Sequence, residues 1–199
     1  HLLPHWNWED RLGQNVPVFC YTNYPKAELF VNGKSMGVKG KNRRNKYERY
    51  RLMWKDVIYQ PGEIKVVAYG DDGIPADTVS IKTAGNTYRL RTVVDRREIT
   101  ADGRDLAFVT VEVVDKEGNL CPRADNLLFF EVGGAVRLKA ACNGDPTDQT
   151  SFSSSYMRAF NGKLMLVLEA SETSGKGILK VYGGHLLPAV EKIDVVINK

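Results

Sequence analysis

Short runs of β-branched, aromatic and aliphatic residues recur along the chain, each closed by glycine, asparagine, aspartate or proline. No long stretch places apolar residues at i, i+3, i+4 and i+7, so the pattern predicts strands and turns and no long helix. In the first part the expected strands are 16–22, 27–31 and 34–38, 50–54, 62–70 and 76–83. Asn32-Gly33 lies between the second and third of these, and both residues tolerate the positive φ that a two-residue hairpin turn demands. The stretch 62–70 alternates Ile64, Val66 and Ala68 against Lys65, Val67 and Tyr69, as a strand with one buried face does.

Small and polar residues at 84–90, "AGNTYRL", form a seam, and beyond it the strand pattern restarts. Further strands are expected at 88–95, 105–115, 126–132, 136–142, 163–171, 177–184 and 190–198. In 105–115, Ala107, Val109, Val111 and Val113 alternate with Leu106, Phe108, Thr110 and Glu112. Each part holds roughly seven short strands at turn spacings of about 8–12 residues, the expectation for an immunoglobulin-like sandwich of about 100 residues. The predicted fold is therefore all-β, with two tandem immunoglobulin-like β-sandwich domains, 1–84 and 85–199. The second lacks a Cys…Trp…Cys core, so it would be immunoglobulin-like in architecture only. His-Leu-Leu-Pro occurs at 1–4 and again at 185–188, which is too short a match to make a repeat.

Composition narrows the class. Hydrophobic residues make up 43% and charged residues 26% of 199 residues, which excludes wholesale disorder. No apolar run approaches the roughly 20 residues of a membrane-spanning helix. The net charge of +4 belongs to the first part: residues 1–84 hold 13 Lys/Arg against 9 Asp/Glu, and the remainder 15 against 15. Three cysteines, Cys20, Cys121 and Cys142, are odd in number and widely spaced, so they are read as thiols, with a Cys121–Cys142 bridge as the alternative.

Candidate chemistry is thin. His1 and His5 have a helical metal-ligand spacing, but Pro4 between them is incompatible with such a helix, and neither a metal nor a cofactor is expected. His185, beside Gly183-Gly184, is read as structural or exposed. No phosphate-cradling loop, dinucleotide fingerprint or nucleophile elbow is present. Glycoside hydrolysis needs two carboxyl groups at a fixed separation. The only acidic pair beside aromatics, Glu9-Asp10, would point apart in an extended chain.

The stretch 39–51, "KGKNRRNKYERYR", holds seven basic residues with Tyr47 and Tyr50 interleaved. Such a mixture can bind single-stranded nucleic acid. Charge balance elsewhere argues against that, leaving a solvated loop or a surface that docks an acidic neighbouring domain. Trp6 and Trp8 share one face if 5–8 is extended, and that pair either stacks on sugar rings or packs in a core or between domains. Trp54 is expected in the core.

Longer strings carry a resemblance. "HLLPHWNWE", "VPVFCYTNYPKAELFVNGKSMG" and "YRLMWKDVIYQPGEIKVVAYGDDG" resemble the module that follows the catalytic barrel in glycoside hydrolase family 2 enzymes of the β-galactosidase type, with residues 4–8, 21–23 and 28–37 matching its pattern. "DRREITADGRDLAFVTVEVVDKEGN" (95–119), "NGDPTDQTSF" (143–152) and "RAFNGKLMLVLEAS" (158–171) resemble that family's C-terminal β-sandwich. The resemblance implies a parent enzyme that removes terminal β-galactosides with retention, through two glutamates on a (β/α)8 barrel preceding His1. The start without Met or leader fits a piece of a longer polypeptide. No catalytic residue carries over. Two further readings stand beside this accessory role. One is a carbohydrate-binding module for galactose-containing polysaccharide and the other a surface adhesion stalk, with Trp6, Trp8, Tyr47 and Tyr50 as the candidate contacts, either to carbohydrate or to the neighbouring domain. The family analogy implies a periplasmic or secreted location.

Overall fold

A computed structural model describes residues 1–197, so the last residue of the expected strand 190–198, Asn198, lies outside the described part. The chain divides into two compact units, the first ending at Thr83 and the second beginning at Ala84. Apart from one 3-10 turn at Glu9–Arg11, the regular structure of the described residues is all strand.

The first unit contains β1 (Leu2–Leu3), β2 (Val18–Cys20), β3 (Lys26–Val31), β4 (Lys34–Gly40), β5 (Leu52–Trp54), β6 (Glu63–Tyr69) and β7 (Pro75–Lys82). They form a three-stranded sheet, β1-β2-β5, and a four-stranded sheet, β4-β3-β6-β7, both antiparallel. The β3–β4 hairpin turns at Asn32-Gly33, with φ of 48° and 80° as the sequence demands. Burial alternates strictly along β3 and β6, so Ala27, Leu29, Val31, Ile64, Val66 and Ala68 face the core. Leu2, Val18, Cys20, Leu52 and Trp54 of the smaller sheet meet them across it. The Trp54 indole N–H donates to the Gly37 carbonyl at 2.9 Å, which satisfies its polar edge.

The second unit contains β8 (Arg89–Val94), β9 (Glu98–Thr100), β10 (Leu106–Val114), β11 (Leu127–Gly134), β12 (Val136–Cys142), β13 (Tyr156–Arg158), β14 (Lys163–Ala170), β15 (Gly175–Tyr182) and β16 (Ala189–Val196). A four-stranded sheet, β12-β14-β10-β8, and a five-stranded sheet, β13-β11-β15-β16-β9, enclose the core, and β9 pairs parallel with β16 at one edge. Ala107, Val109, Val111 and Val113 point inward with Leu164, Leu166 and Leu168 of the neighbouring strand, as alternation predicted. Two short strands, β9 and β13, have no counterpart in the sequence reading, because three residues are too few to show a period.

All three cysteines are free thiols, so Cys121 and Cys142 are not bridged. Cys121 is buried, and burial followed by the nearby Asp115 charge pushes its thiol up to about 11. Such a group stays protonated and inert at neutral pH.

Acidic side chains of the second unit, Glu112 and Glu169 on the outer face of the four-stranded sheet and Glu191 on the inward side of β16, are held by cations from adjacent segments. Glu112 accepts from Arg91 at 2.7–2.8 Å and from Lys163 at 2.8 Å, its register partners on either side. Glu169 accepts from Arg137 at 2.6 Å and Lys139 at 2.9 Å. Glu191 is bound by Arg97 and by the Thr92 hydroxyl. Burial alone would raise the Glu112 and Glu191 carboxyls, but the hydrogen bonds outweigh it and both end below the ordinary glutamate value. Their stabilising contribution is complete above that value, near 4.5, and is lost as pH falls through the lower native values. The melting temperature of the second unit should therefore hold steady down to about pH 5 and then drop steeply. The double variant Glu112→Gln, Glu191→Gln should flatten that acid limb in a calorimetric pH series. An unchanged limb in the variant would contradict the assignment.

Candidate functional site

The N-terminal segment departs from the extended strand expected at 5–8. β1 ends at Leu3, the following Pro4 brings no N–H to a ladder, and the chain then turns into the 3-10 turn, where the Arg11 N–H donates to the Trp8 carbonyl at 2.8 Å. Trp6 and Trp8 consequently do not share a face. Trp6 is wholly buried (0% exposed), with its indole N–H donating to the Gln60 carbonyl at 2.9 Å and its ring edge-on to Tyr59 at 5.0 Å. Trp8 is half-buried, stacked on the His5 ring at 4.5 Å, and Arg11 lies over it at 5.3 Å. Its N–H donates to the His5 carbonyl at 2.8 Å. His5 is thus a stacking partner, and its Nδ1 accepts from the Asn7 N–H at 3.2 Å. Glu9 and Asp10 are exposed on the turn rather than in an extended chain.

The basic stretch begins in β4 and continues as a loop wound around its asparagines. Asn42 and Asn45 side-chain oxygens accept from the N–H groups of Arg44 and Tyr47 at 3.1 and 2.9 Å. Tyr47 and Tyr50 are exposed at 55% and 69%. Lys46 covers the first ring at 4.9 Å, and Arg49 the second at 5.2 Å. Lys41 donates to the Thr22 carbonyl at 2.5 Å and Arg51 to the Tyr21 hydroxyl at 3.1 Å, so part of the positive charge anchors the loop to its own unit. Tyr50 joins Tyr21, Tyr24, Asn23 and Asp77 around an open depression of about 640 Å³.

A second depression, of about 570 Å³, lies at one end of the second unit. It is assembled from the 143–155 loop, the edge strand β13 and the turn that follows it. The Asn143 amide donates to Asp148 at 2.6 Å and to the Arg158 carbonyl at 3.0 Å, stitching the loop to β13. Asp145 accepts from the Thr147 N–H and hydroxyl at 2.8 and 2.7 Å, and Asp148 from the Thr150 N–H at 2.8 Å. Hydrogen bonds from Thr150 first, then Asn143, hold the Asp148 carboxyl below its ordinary value. Sequence reasoning missed this cavity as a site. Its loop was visible only as the string "NGDPTDQTSF", and β13 and the 125–127 segment that complete it lie elsewhere in the chain.

His185 is exposed, with its Nε2 3.0 Å from the Thr87 hydroxyl. Among the described residues no three His, Cys, Asp or Glu side chains gather as metal ligands, and no helix is long and apolar enough to cross a membrane.

Two β-sandwiches in succession define an all-β module whose candidate surfaces are exposed aromatics, a basic loop and a polar cavity. Comparison with known proteins adds the family. Residues 90–190 match the glycoside hydrolase family 2 C-terminal domain 5, and residues 13–76 match a domain of unknown function (DUF4982). The chain belongs to the family of glycoside hydrolase family 2 C-terminal domains. It is 42% identical over 195 residues to the β-galactosidase BoGH2A of Bacteroides ovatus, covering 98% of this chain and 22% of that protein. It is 32% identical to a putative β-glucuronidase of Formosa agariphila, covering 85% of this chain and 16% of that one. Among solved structures, a β-glycosidase from Bacteroides vulgatus superposes with a TM-score of 0.90 at 32% identity, covering 98% of this chain and 24% of that one. The chain thus spans about a fifth of the length of the relatives it matches.

Proposed function

We propose that this chain is a non-catalytic accessory module of a family 2 glycoside hydrolase, and that the sugar-cleaving centre belongs to another part of the parent protein. The observation that carries the reading is the state of the carboxylates. A retaining glycosidase needs one carboxyl group raised to act as acid, about 5–5.5 Å from a second that attacks. Among the described residues, every side-chain carboxyl whose pKa departs clearly from the ordinary value is lowered: Asp105, Glu112, Asp115, Asp148, Glu169 and Glu191. The two glutamates held on the outer face of the four-stranded sheet are also far apart. Glu112 stands opposite Lys163, and Glu169 lies six residues farther along β14, roughly 20 Å at about 3.4 Å per residue.

The parent activity that the similarity favours is hydrolysis of terminal β-galactosides, since identity to the B. ovatus β-galactosidase exceeds that to the F. agariphila protein. The partner in this reading is the parent's own catalytic barrel. Trp8 and the loop bearing Tyr47 and Tyr50 offer half-buried and exposed rings beside positive charge, a surface suited to an acidic neighbour. Nothing in this role calls for nucleic acid or a cofactor. A periplasmic or secreted location goes with a parent that degrades polysaccharide.

The purified chain should hydrolyse a chromogenic β-galactoside no faster than buffer does. Turnover that co-purifies with the folded chain and disappears on heat denaturation would overturn the proposal.

A further inference from the structure

The depression beside β13 has the chemistry of a sugar site. Two exposed rings border it, Tyr156 at 46% and Phe160 at 36%. Between them lie Asp125, Asp145, Gln149 and Arg158. Asp125, Gln149 and Tyr156 all line the cavity, and no hydrogen bond to another described residue uses the Tyr156 hydroxyl, the Asp125 carboxylate or the Gln149 amide, which leaves donors and acceptors of both kinds available to a ligand there. A pyranose offers matching surfaces, with an apolar C–H face that packs on an aromatic ring and a rim of hydroxyls that bridge an amide, a carboxylate and a phenol. A volume of about 570 Å³ falls within the usual range of small-ligand sites.

The frame around these groups is fixed independently of any ligand. Asn143 ties the loop to β13, Arg158 donates to the Asp125 carbonyl at 3.1 Å, and the Ala141 N–H donates to the Phe152 carbonyl at 2.7 Å. Phe160 is set by the two-residue turn after it, whose flanking residues exchange hydrogen bonds of 2.8 and 3.0 Å with Lys163 as partner. The open groups therefore sit on a braced scaffold, which lowers the entropy cost of binding. Charge selects among sugars: Asp125, Asp145 and Asp148 face a single cation, Arg158, so a carboxylate-bearing uronic acid would be repelled.

We propose that this cavity is a binding subsite for one or two units of a neutral pyranoside. It stands apart from the non-catalytic reading, because binding tests the one and turnover the other. It also places sugar contact on Tyr156, Phe160 and Gln149 instead of the tryptophan pair.

Titration calorimetry of the 199-residue chain with methyl β-galactoside, lactose and cellobiose, and with methyl β-glucuronide as the anionic control, tests the proposal. At least one neutral sugar should bind with a millimolar dissociation constant, and the glucuronide about tenfold more weakly or not at all. Amide chemical shifts should move at 143–150 and 156–160. Tyr156→Ala should weaken binding about tenfold. Gln149→Ala, on the exposed loop where folding is not at stake, should weaken it severalfold with the thermal transition unchanged. The proposal is overturned if no neutral sugar binds, if the glucuronide binds as well as the neutral sugars, if the shifts map elsewhere, or if Gln149→Ala folds normally and binds unaltered.

Discussion

Replacing Trp6 by alanine should melt the first unit while the same change at Trp8 leaves it folded. The Trp6 ring is fully enclosed, contacts Tyr59 edge-on, and gives its one polar atom to the Gln60 carbonyl. The Tyr59 hydroxyl and the Thr83 hydroxyl both lie within hydrogen-bond distance of the Trp6 carbonyl, at 3.5 and 2.6 Å, so the residue is anchored by backbone and side chain alike. Truncation removes a large apolar surface, leaves a cavity and strands an acceptor, for a cost of about 3–5 kcal/mol. A sandwich of this size has roughly 5 kcal/mol to lose, so the midpoint should fall by about 15 °C or more. Trp8 already meets solvent on one side, and its removal should cost about 1 kcal/mol. Differential scanning calorimetry and amide hydrogen exchange of β3 and β6 would separate the two. Equal effects of the two substitutions would mean that the indole at position 6 is not a core element.

How far these features are legible in the sequence depends on how many residues carry the signal. β3 and β6 alternate strictly, β10 alternates over its first half, and all three are flanked by turn residues, so both their existence and their buried faces follow from the period. β7 shows the limit of that reasoning, because it is a strand at the edge of its sheet and almost uniformly exposed, so its pairing with β6 rather than its burial defines it. β9 and β13 are three residues long, and each becomes a strand only through a partner distant in sequence. Alternation also led to Trp6 and Trp8 on one face, since a period of two holds only while the chain stays extended, and here it turns after Pro4. Glu112 reads as an ordinary solvent-facing position in β10. Its burial arises because Arg91 and Lys163, 21 and 51 positions away in sequence, close over it from both neighbouring strands.

The cavity beside β13 was illegible for the same reason. Its groups come from residue 125, from the 143–150 loop and from 156–160, three segments joined by strand pairing and by the Asn143 amide. Each segment alone reads as a polar loop. The Asn161-Gly162 turn fixes Phe160 at the rim of the cavity.

Gly162→Ala should be among the most damaging single-methyl changes in the second unit. Asn161 and Gly162 both have positive φ, 51° and 76°, as a two-residue hairpin turn requires. A Cβ at Gly162 would lie 2.3 Å from the Cys121 carbonyl oxygen, a contact with backbone that cannot swing aside. Nor can the turn retreat: the Gly162 N–H donates to the Ala124 carbonyl at 2.9 Å, and its own carbonyl accepts from the Val113 N–H at 2.8 Å. Backbone strain and overpacking together should cost about 3–5 kcal/mol. Gly33→Ala is the matched control. Its φ is 80°, yet nothing lies within 4 Å of the added methyl, so only the conformational penalty of about 1–2 kcal/mol applies. Thermal melts should show the first variant depressed by on the order of 10–20 °C and the second by less than half as much. Because Phe160 immediately precedes this turn, a Gly162→Ala protein that still folds at low temperature should also bind neutral glycosides more weakly than the parent chain. If both glycine variants melt alike, crowding at the Cys121 carbonyl is not what fixes the turn, and the preset geometry claimed for the cavity loses its support.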